Sequence, residues 1–95
     1  MGRKSLAQKI FEKTAPGEEA GCSWIVAYDF SSKANPRFWS NLRRLSAKAP
    51  GSRLLQQSVY FTDSRRVARC VVSLATYYGA SVELFKCLSV ESLDG

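Results

Sequence analysis

Among the residues able to do chemistry, Asp29 is set apart by its surroundings. It interrupts the near-continuous apolar run WIVAYDFSS, from Trp24 to Ser32, just before the chain turns polar. The chain contains no histidine, which removes Ser-His-Asp and Cys-His nucleophiles, imidazole bases and histidine-ligated metals together. Catalysis would have to rest on carboxylates, lysines, tyrosines or a hard metal ion. Neither GxxxxGK[ST] nor GxGxxG occurs, so no loop of the kind that cradles nucleotide phosphates is expected. Cys22, Cys70 and Cys87 form no CxxC pair; an odd number this far apart suits small buried residues better than a zinc site or a disulfide framework. Asp29 itself has a plain alternative role, because an aspartate at a strand end often caps the turn that follows, here SSK.

The second chemical signal is charge. Fourteen Lys and Arg against eight Asp and Glu give a net charge of +6. Nine of the bases (Lys33, Arg37, Arg43, Arg44, Lys48, Arg53, Arg65, Arg66 and Arg69) fall between Lys33 and Arg69 with one acid, Asp63, a local balance of +8. Beyond Arg69 the balance is −2. Arg65 and Arg66 are expected in the first turn of a helix, where the macrodipole disfavours each cation by about 0.3–1 kcal/mol. Phosphate would offset that cost, since arginine forks match phosphate oxygens and a helix N-terminus offers free N–H groups. An arginine-rich, lysine-poor cluster points to nucleic acid, duplex DNA or RNA, with Arg37, Arg43, Arg44, Lys48, Arg65 and Arg66 as contacts to the backbone. A solvated basic surface without a partner is the alternative. Trp24, Phe38, Trp39 and Tyr60 are read as packing residues rather than base-stacking ones.

These residues need a scaffold. A chain of 95 residues, 45% hydrophobic and 23% charged, fits one globular domain, which at this size buries only about 60% of its unfolded surface. No stretch approaches the ~20 apolar residues of a membrane span. MGRKSLAQKI lacks the apolar run of a secretory signal, and Leu6 breaks the myristoylation pattern, so no membrane and a cytoplasmic location are expected. SLAQKIFEK suits a short helix capped by Ser5, which TAPGEEAG then breaks. Residues 1–21 are read as an arm or docking helix and residues 22–95 as the domain, its core beginning near Cys22.

Trp24 to Phe30 is apolar on both alternating faces, the pattern of a central strand buried on both sides. Asn35-Pro36 starts a helix with Phe38, Leu42, Leu45 and Ala49 inward, and Pro50-Gly51 stops it. Its other face carries Arg37, Arg44 and Lys48. Alternation from Ser52 to Thr62 predicts one long strand or a pair bent near Gln57 and Ser58. Asp63 or Ser64 caps a second helix, with Val67, Val71, Leu74 and Tyr78 inward and Gly79 as its stop. A last strand, SVELFKCLSV, places Val82, Leu84, Leu88 and Val90 on one face. The order strand, helix, strand pair, helix, strand predicts an α+β, ferredoxin-like split βαβ sandwich with two helices on one sheet face. The other face is left open, and a second copy, sheet to sheet, is the simplest cover.

Three short stretches, Tyr28-Asp29-Phe30, Gln57-Ser58-Val59-Tyr60, and Gly79-Ala80 followed by a Val82-to-Val90 strand, resemble the small CRISPR-associated "Cas-two" proteins and their relatives such as virulence-associated protein D. The resemblance covers roughly residues 22–90 and implies a ferredoxin-like homodimer. It implies that Asp29 approaches its twin across the dimer axis to hold Mg²⁺ or Mn²⁺ for cleaving RNA or DNA, making Asp29 both the metal ligand and the catalytic residue of an endonuclease. It also implies a non-catalytic role, bridging integrase dimers and binding duplex DNA during spacer acquisition. Ser58 and Tyr60 match positions beside the dimer axis. The segment from Asp29 to Gly51, with its inserted-looking KANPRFW, is longer than the family pattern, and the N-terminal arm is extra. One carboxylate per chain makes a poor magnesium site unless symmetry supplies its twin.

Three function classes follow. The first in rank is a dimeric adaptor that grips nucleic-acid backbone through its arginines and partners an integrase in CRISPR adaptation. The second is a metal-dependent endonuclease built on paired Asp29. The third is a ferredoxin-like protein-interaction module that touches no nucleic acid, whose binding would ignore salt.

Overall fold

The computed structural model describes residues 4–17 and 21–88. Its elements run α1 (Leu6–Lys13), β1 (Ser23–Asp29), α2 (Pro36–Ser46), β2 (Arg53–Gln56), β3 (Val59–Thr62), α3 (Arg65–Tyr77) and β4 (Ser81–Cys87). Each helix starts on a side-chain cap. Ser5, Asn35 and Ser64 accept hydrogen bonds from the backbone N–H of Gln8, Arg37 and Val67, and Pro36 occupies the first turn of α2. These bonds satisfy N–H groups that a helix cannot pair internally. α3 ends in a Schellman turn: Ala80 N–H donates to Ala75 O at 2.9 Å and Gly79 N–H to Thr76 O at 3.0 Å. Gly79 takes φ +88°, which a side chain would resist.

The four strands form one antiparallel sheet in the order β2-β3-β1-β4. α2 carries the chain from β1 over β3 to β2, and α3 carries it from β3 over β1 to β4. Between Ser52 and Thr62 the chain forms the bent pair rather than a single strand, turning at Gln57 and Ser58, with a bulge between Leu54 and Gln56. The strand expected to reach Val90 ends at Cys87; Leu88 is strongly exposed, and Val90 lies outside the described residues.

One sheet face carries the core. Trp24, Val26 and Tyr28 of β1 and Tyr60 and Thr62 of β3 lie against Phe38, Leu42 and Leu45 of α2 and Val67, Val71 and Leu74 of α3. The double-sided apolarity of β1 suggested burial on both faces, but among the described residues only this one is covered. Ile25 and Ala27 on the other face are half-buried, flanked by Phe61 and Val59 of β3 and by Phe85 and Glu83 of β4. An apolar row, Phe85–Ile25–Phe61, therefore crosses three strands of the open face, and the Arg53 guanidinium lies 5.5 Å from the Phe61 ring centre.

The core also extends further toward the N-terminus than Cys22, because α1 docks on α2 and α3 and buries Ala7 completely. Four contacts tie it down. Ala7 N–H donates to Asn41 Oδ1 at 2.8 Å, while Asn41 Nδ2 donates to Arg37 O at 2.8 Å. Arg66 stacks on the Phe11 ring, 3.7 Å from its centre, and its Nη2 donates to Phe11 O at 2.7 Å. Lys48 Nζ sits 4.6 Å from the same ring centre.

Replacing Asn41 by Ala leaves the buried Ala7 N–H without its acceptor, and chemical denaturation should show a loss of about 1–3 kcal/mol. Amide exchange should rise first across Leu6–Lys13. Unchanged exchange there would mean that α1 docks without this bond.

Candidate functional site

Asp29 is the last residue of β1, and its position in the pleat puts it on the open face. It is exposed, as expected of a strand-end acid, and pairs with Ser81 of β4. On the other side Tyr28 N–H donates to Ser58 O at 3.0 Å, which brings the β2–β3 turn alongside. Two residues back, Ala27 pairs with Glu83. Residues directly opposite share a face, so Glu83 and Asp29 are diagonal neighbours, about 7–8 Å apart by strand geometry. They line one shallow depression of about 360 Å³ together with Ser58 and Ser81.

Glu83 is the residue that sequence reasoning missed, since 54 positions separate the two acids. The usable signal was the alternation of β4 joined to its antiparallel pairing with β1. A magnesium ion characteristically takes one or two carboxylates, several waters and substrate phosphates. Asp29 and Glu83 are the two carboxylates at this depression that could share one such ion with water. They do not fit an all-protein cage, and no group of three or more His, Cys, Asp or Glu gathers among the described residues.

Ser58 and Tyr60, both expected at a dimer interface, separate. Ser58 is exposed in the β2–β3 turn. Tyr60 is 1% exposed on the helix-covered face, and its hydroxyl shares a 2.6 Å hydrogen bond with Ser46 Oγ of α2. Its ring is part of the protein's own core, so it offers nothing to a second copy docking on the open face. Strand alternation is the reason: Tyr60 pairs with Val26, which points inward, and Val59 and Phe61 take the open side.

Behind Asp29 lies an aromatic cluster. Phe38 makes edge contacts with Tyr28 at 5.2 Å and with Phe30 and Trp39 at 5.0 Å each. The Tyr28 hydroxyl is buried with no hydrogen-bond partner among the described residues. Burial, reinforced by the neighbouring Tyr60, pushes its pKa up to about 12.

The basic residues divide by role. Arg37 and Arg44, two turns apart on α2, are exposed and line a groove of about 370 Å³ with Ser5, Ser40 and the tyrosines Tyr77 and Tyr78. Tyr77 is 66% exposed, which is unusual for so large a ring. Arg43 lies off this groove, beside Trp39 and Leu54 in an apolar hollow of about 300 Å³. Lys48 is exposed but rests over Phe11. Arg65 is half-buried. Arg66, expected to meet phosphate, spends its guanidinium on the ring and carbonyl of Phe11. That contact accounts for a cation in the first turn of α3, and the tether could not be seen in the sequence because 55 residues separate the partners.

Because the Tyr28 phenol keeps its proton up to about pH 12 while the unfolded chain releases it near pH 10, the folded state binds that proton more tightly. Stability from this group is therefore present below pH ~10 and falls as pH rises toward ~12. Tyr28→Phe should flatten this loss in denaturant titrations at alkaline pH, and an unaltered pH profile would count against it. No protein-family model, no curated protein and no solved structure matches this chain.

Proposed function

We propose that the chain is a nucleic-acid-binding protein of the ferredoxin-like class that works as a homodimer and grips the sugar-phosphate backbone through its helical layer. The observation that carries this reading is the groove in which Arg37 and Arg44 flank an exposed Tyr77. Two guanidinium forks set two helical turns apart can bond successive phosphates without reading bases. The sheet order β2-β3-β1-β4 with two helical crossovers is the topology expected of a ferredoxin-like sandwich. Dimerisation through the open face is supported by the exposed Phe85 and the half-buried Ile25 and Phe61 that continue its row. Arg53 on β2 and Glu83 on β4 stand at opposite edges of that face, so a two-fold axis along the strands brings opposite charges together.

The resemblance to the Cas-two proteins makes CRISPR adaptation, as an adaptor for an integrase during spacer acquisition in antiviral defence, the specific setting we propose. In this reading the basic helical layers of the two copies face outward, while the open faces are occupied by each other.

A second reading is favoured by Glu83 beside Asp29. A two-fold set across the strands at their Asp29 end, in place of the axis along them, would gather two acids from each chain, enough oxygen ligands for Mg²⁺ or Mn²⁺ with waters and a phosphate. The ion would supply an activated water for endonucleolytic cleavage of RNA or DNA. Asp29 and Glu83 would hold it, and the arginines would place the strand.

Two experiments separate the readings. In a salt titration with labelled duplex DNA, Arg37→Ala with Arg44→Ala should weaken binding and shrink the log–log salt slope by about 2, close to one for each phosphate that is no longer neutralised. Unchanged affinity and slope would remove the groove from the reading, and affinity indifferent to salt in the parent protein would favour a protein-interaction module. In the second, RNA and DNA are incubated with Mg²⁺ or Mn²⁺ and run on a denaturing gel. If the acids are catalytic, Asp29→Asn abolishes cleavage and Glu83→Gln reduces it while the circular dichroism of both stays that of the parent. Equal cleavage by Asp29→Asn would sink the nuclease reading.

A further inference from the structure

A second concavity, different in chemistry from the arginine groove, opens at the end of the sheet where β1 gives way to the loop before α2. It has a volume of about 440 Å³, within the range of small-molecule sites. Phe30 and Trp39 line it with aromatic rings, and Lys33, Gln57, Ser58 and Asp29 bring polar groups to it.

Its walls are fixed by packing. Trp39 and Phe30 are each held edge-on by the fully buried Phe38 at 5.0 Å, and Tyr28 makes further edge contacts with Phe30 at 5.9 Å and with Trp39 at 6.5 Å. Both rings are nonetheless only half-buried, so part of each stays at the cleft. Asn35 and Pro36 fix the far end of the loop that carries Lys33, through the Asn35 cap on Arg37 N–H at 2.8 Å. The polar groups come from two separate turns, Lys33 from the loop after β1 and Gln57 with Ser58 from the β2–β3 turn. The bond from Tyr28 N–H to Ser58 O fixes the β2–β3 turn against the end of β1, from which the Lys33 loop departs.

This combination selects a ligand class. An aromatic wall favours a flat ring, a primary amide can donate to and accept from the edge of a base, and a lone ammonium suits a phosphate. An exposed carboxylate suits hydroxyl donors of a sugar, as acids do in dinucleotide sites. A hydrocarbon ligand would leave the polar groups unmatched, and a bare anion would ignore the rings and meet the Asp29 charge. A paired base inside a duplex could not present its face to Trp39.

We infer that this cleft takes one unpaired nucleotide, with the base against Trp39 and Phe30, its edge at Gln57, the phosphate at Lys33 and the sugar hydroxyls toward Asp29. The inference rests on the nucleic-acid reading and narrows it: strands with a free end or an extruded base engage a site that a closed duplex cannot enter. The cleft lies at the end of the sheet, so a second copy on the open face leaves Trp39 and Lys33 uncovered.

The test uses the full chain and nucleoside 5′-monophosphates as probes, with binding heat measured by calorimetry and Trp39 fluorescence as the local report; Trp24, the other tryptophan, is 4% exposed. Saturable heat with quenching is expected. Trp39→Phe should remove the quenching, and Lys33→Ala, at an exposed position, should weaken binding about tenfold, the scale of one charge-assisted hydrogen bond. No heat and no quenching with any of the common nucleotides, in a protein that still binds duplex DNA, would overturn the cleft and leave the arginine groove standing. Nucleotide binding that persists in Arg37→Ala with Arg44→Ala while duplex binding disappears would support the cleft as an independent site. Binding unaltered by both Lys33→Ala and Trp39→Phe would also overturn it.

Discussion

The pleat of β1 governs where every functional group of the sheet ends up. Trp24, Val26 and Tyr28 fill the space under α2 and α3, and because a strand alternates faces, Ile25, Ala27 and Asp29 must point the other way. A slip of one residue would turn Asp29 under the helices and three large side chains into water. Burial of those three is worth several kcal/mol at about 25 cal/mol per Å², so the register is held firmly. β1 also pairs on both sides, with β3 and with β4, and thereby decides which residues of those strands keep Asp29 company. Glu83 and Ser81 are on the open face for the same reason that Tyr60 and Thr62 are not.

Local chemistry was readable where it depended on near neighbours in sequence. Asn35-Pro36 starts α2 and Gly79 ends α3 because caps and stops work over three or four residues, and the inward positions of both helices follow from their spacing. The choice between one long strand and a hairpin was settled by the turn at Gln57 and Ser58, where neither residue is a strong turn former, so the sequence left both possible. What could not be read depended on contacts across many residues. Arg66 looked like a phosphate ligand because its misfit with the helix dipole was visible and Phe11, which resolves it, was not. Tyr60 and Ser58 looked like a pair, but the turn at Ser58 ends before β3 begins, and the pleat of β3 then carries Tyr60 under the helices.

Charge is sorted by layer as well as by position in the chain. Arg37 and Arg44 on α2 and Lys48 just past its end lie near α1, whereas Asp29 and Glu83 share the open side of the sheet, with Arg53 at its far edge. At physiological salt, fields decay over about 8 Å, so the two regions act separately on a polyanion. A polyanion approaching the helical side would thus feel its bases with little opposition from the open-face carboxylates.

The place of β4 at the end of the sheet has a consequence for how the protein behaves in solution. It is a seven-residue edge strand, SVELFKC, whose outer backbone groups pair with no other strand among the described residues. Such edges recruit strands from other molecules unless charge or shape prevents it. β4 carries one charge on each face: Lys86 opposite Trp24 on the helix side, and Glu83 opposite Ala27 on the open side. Without Glu83, the open side of β4 would present Ser81, Phe85 and Cys87 with no charge at all, beside an already apolar row. The acid that neighbours Asp29 is thus also a charge that opposes edge-to-edge pairing through β4, so a substitution made there to probe Asp29's surroundings also alters the edge.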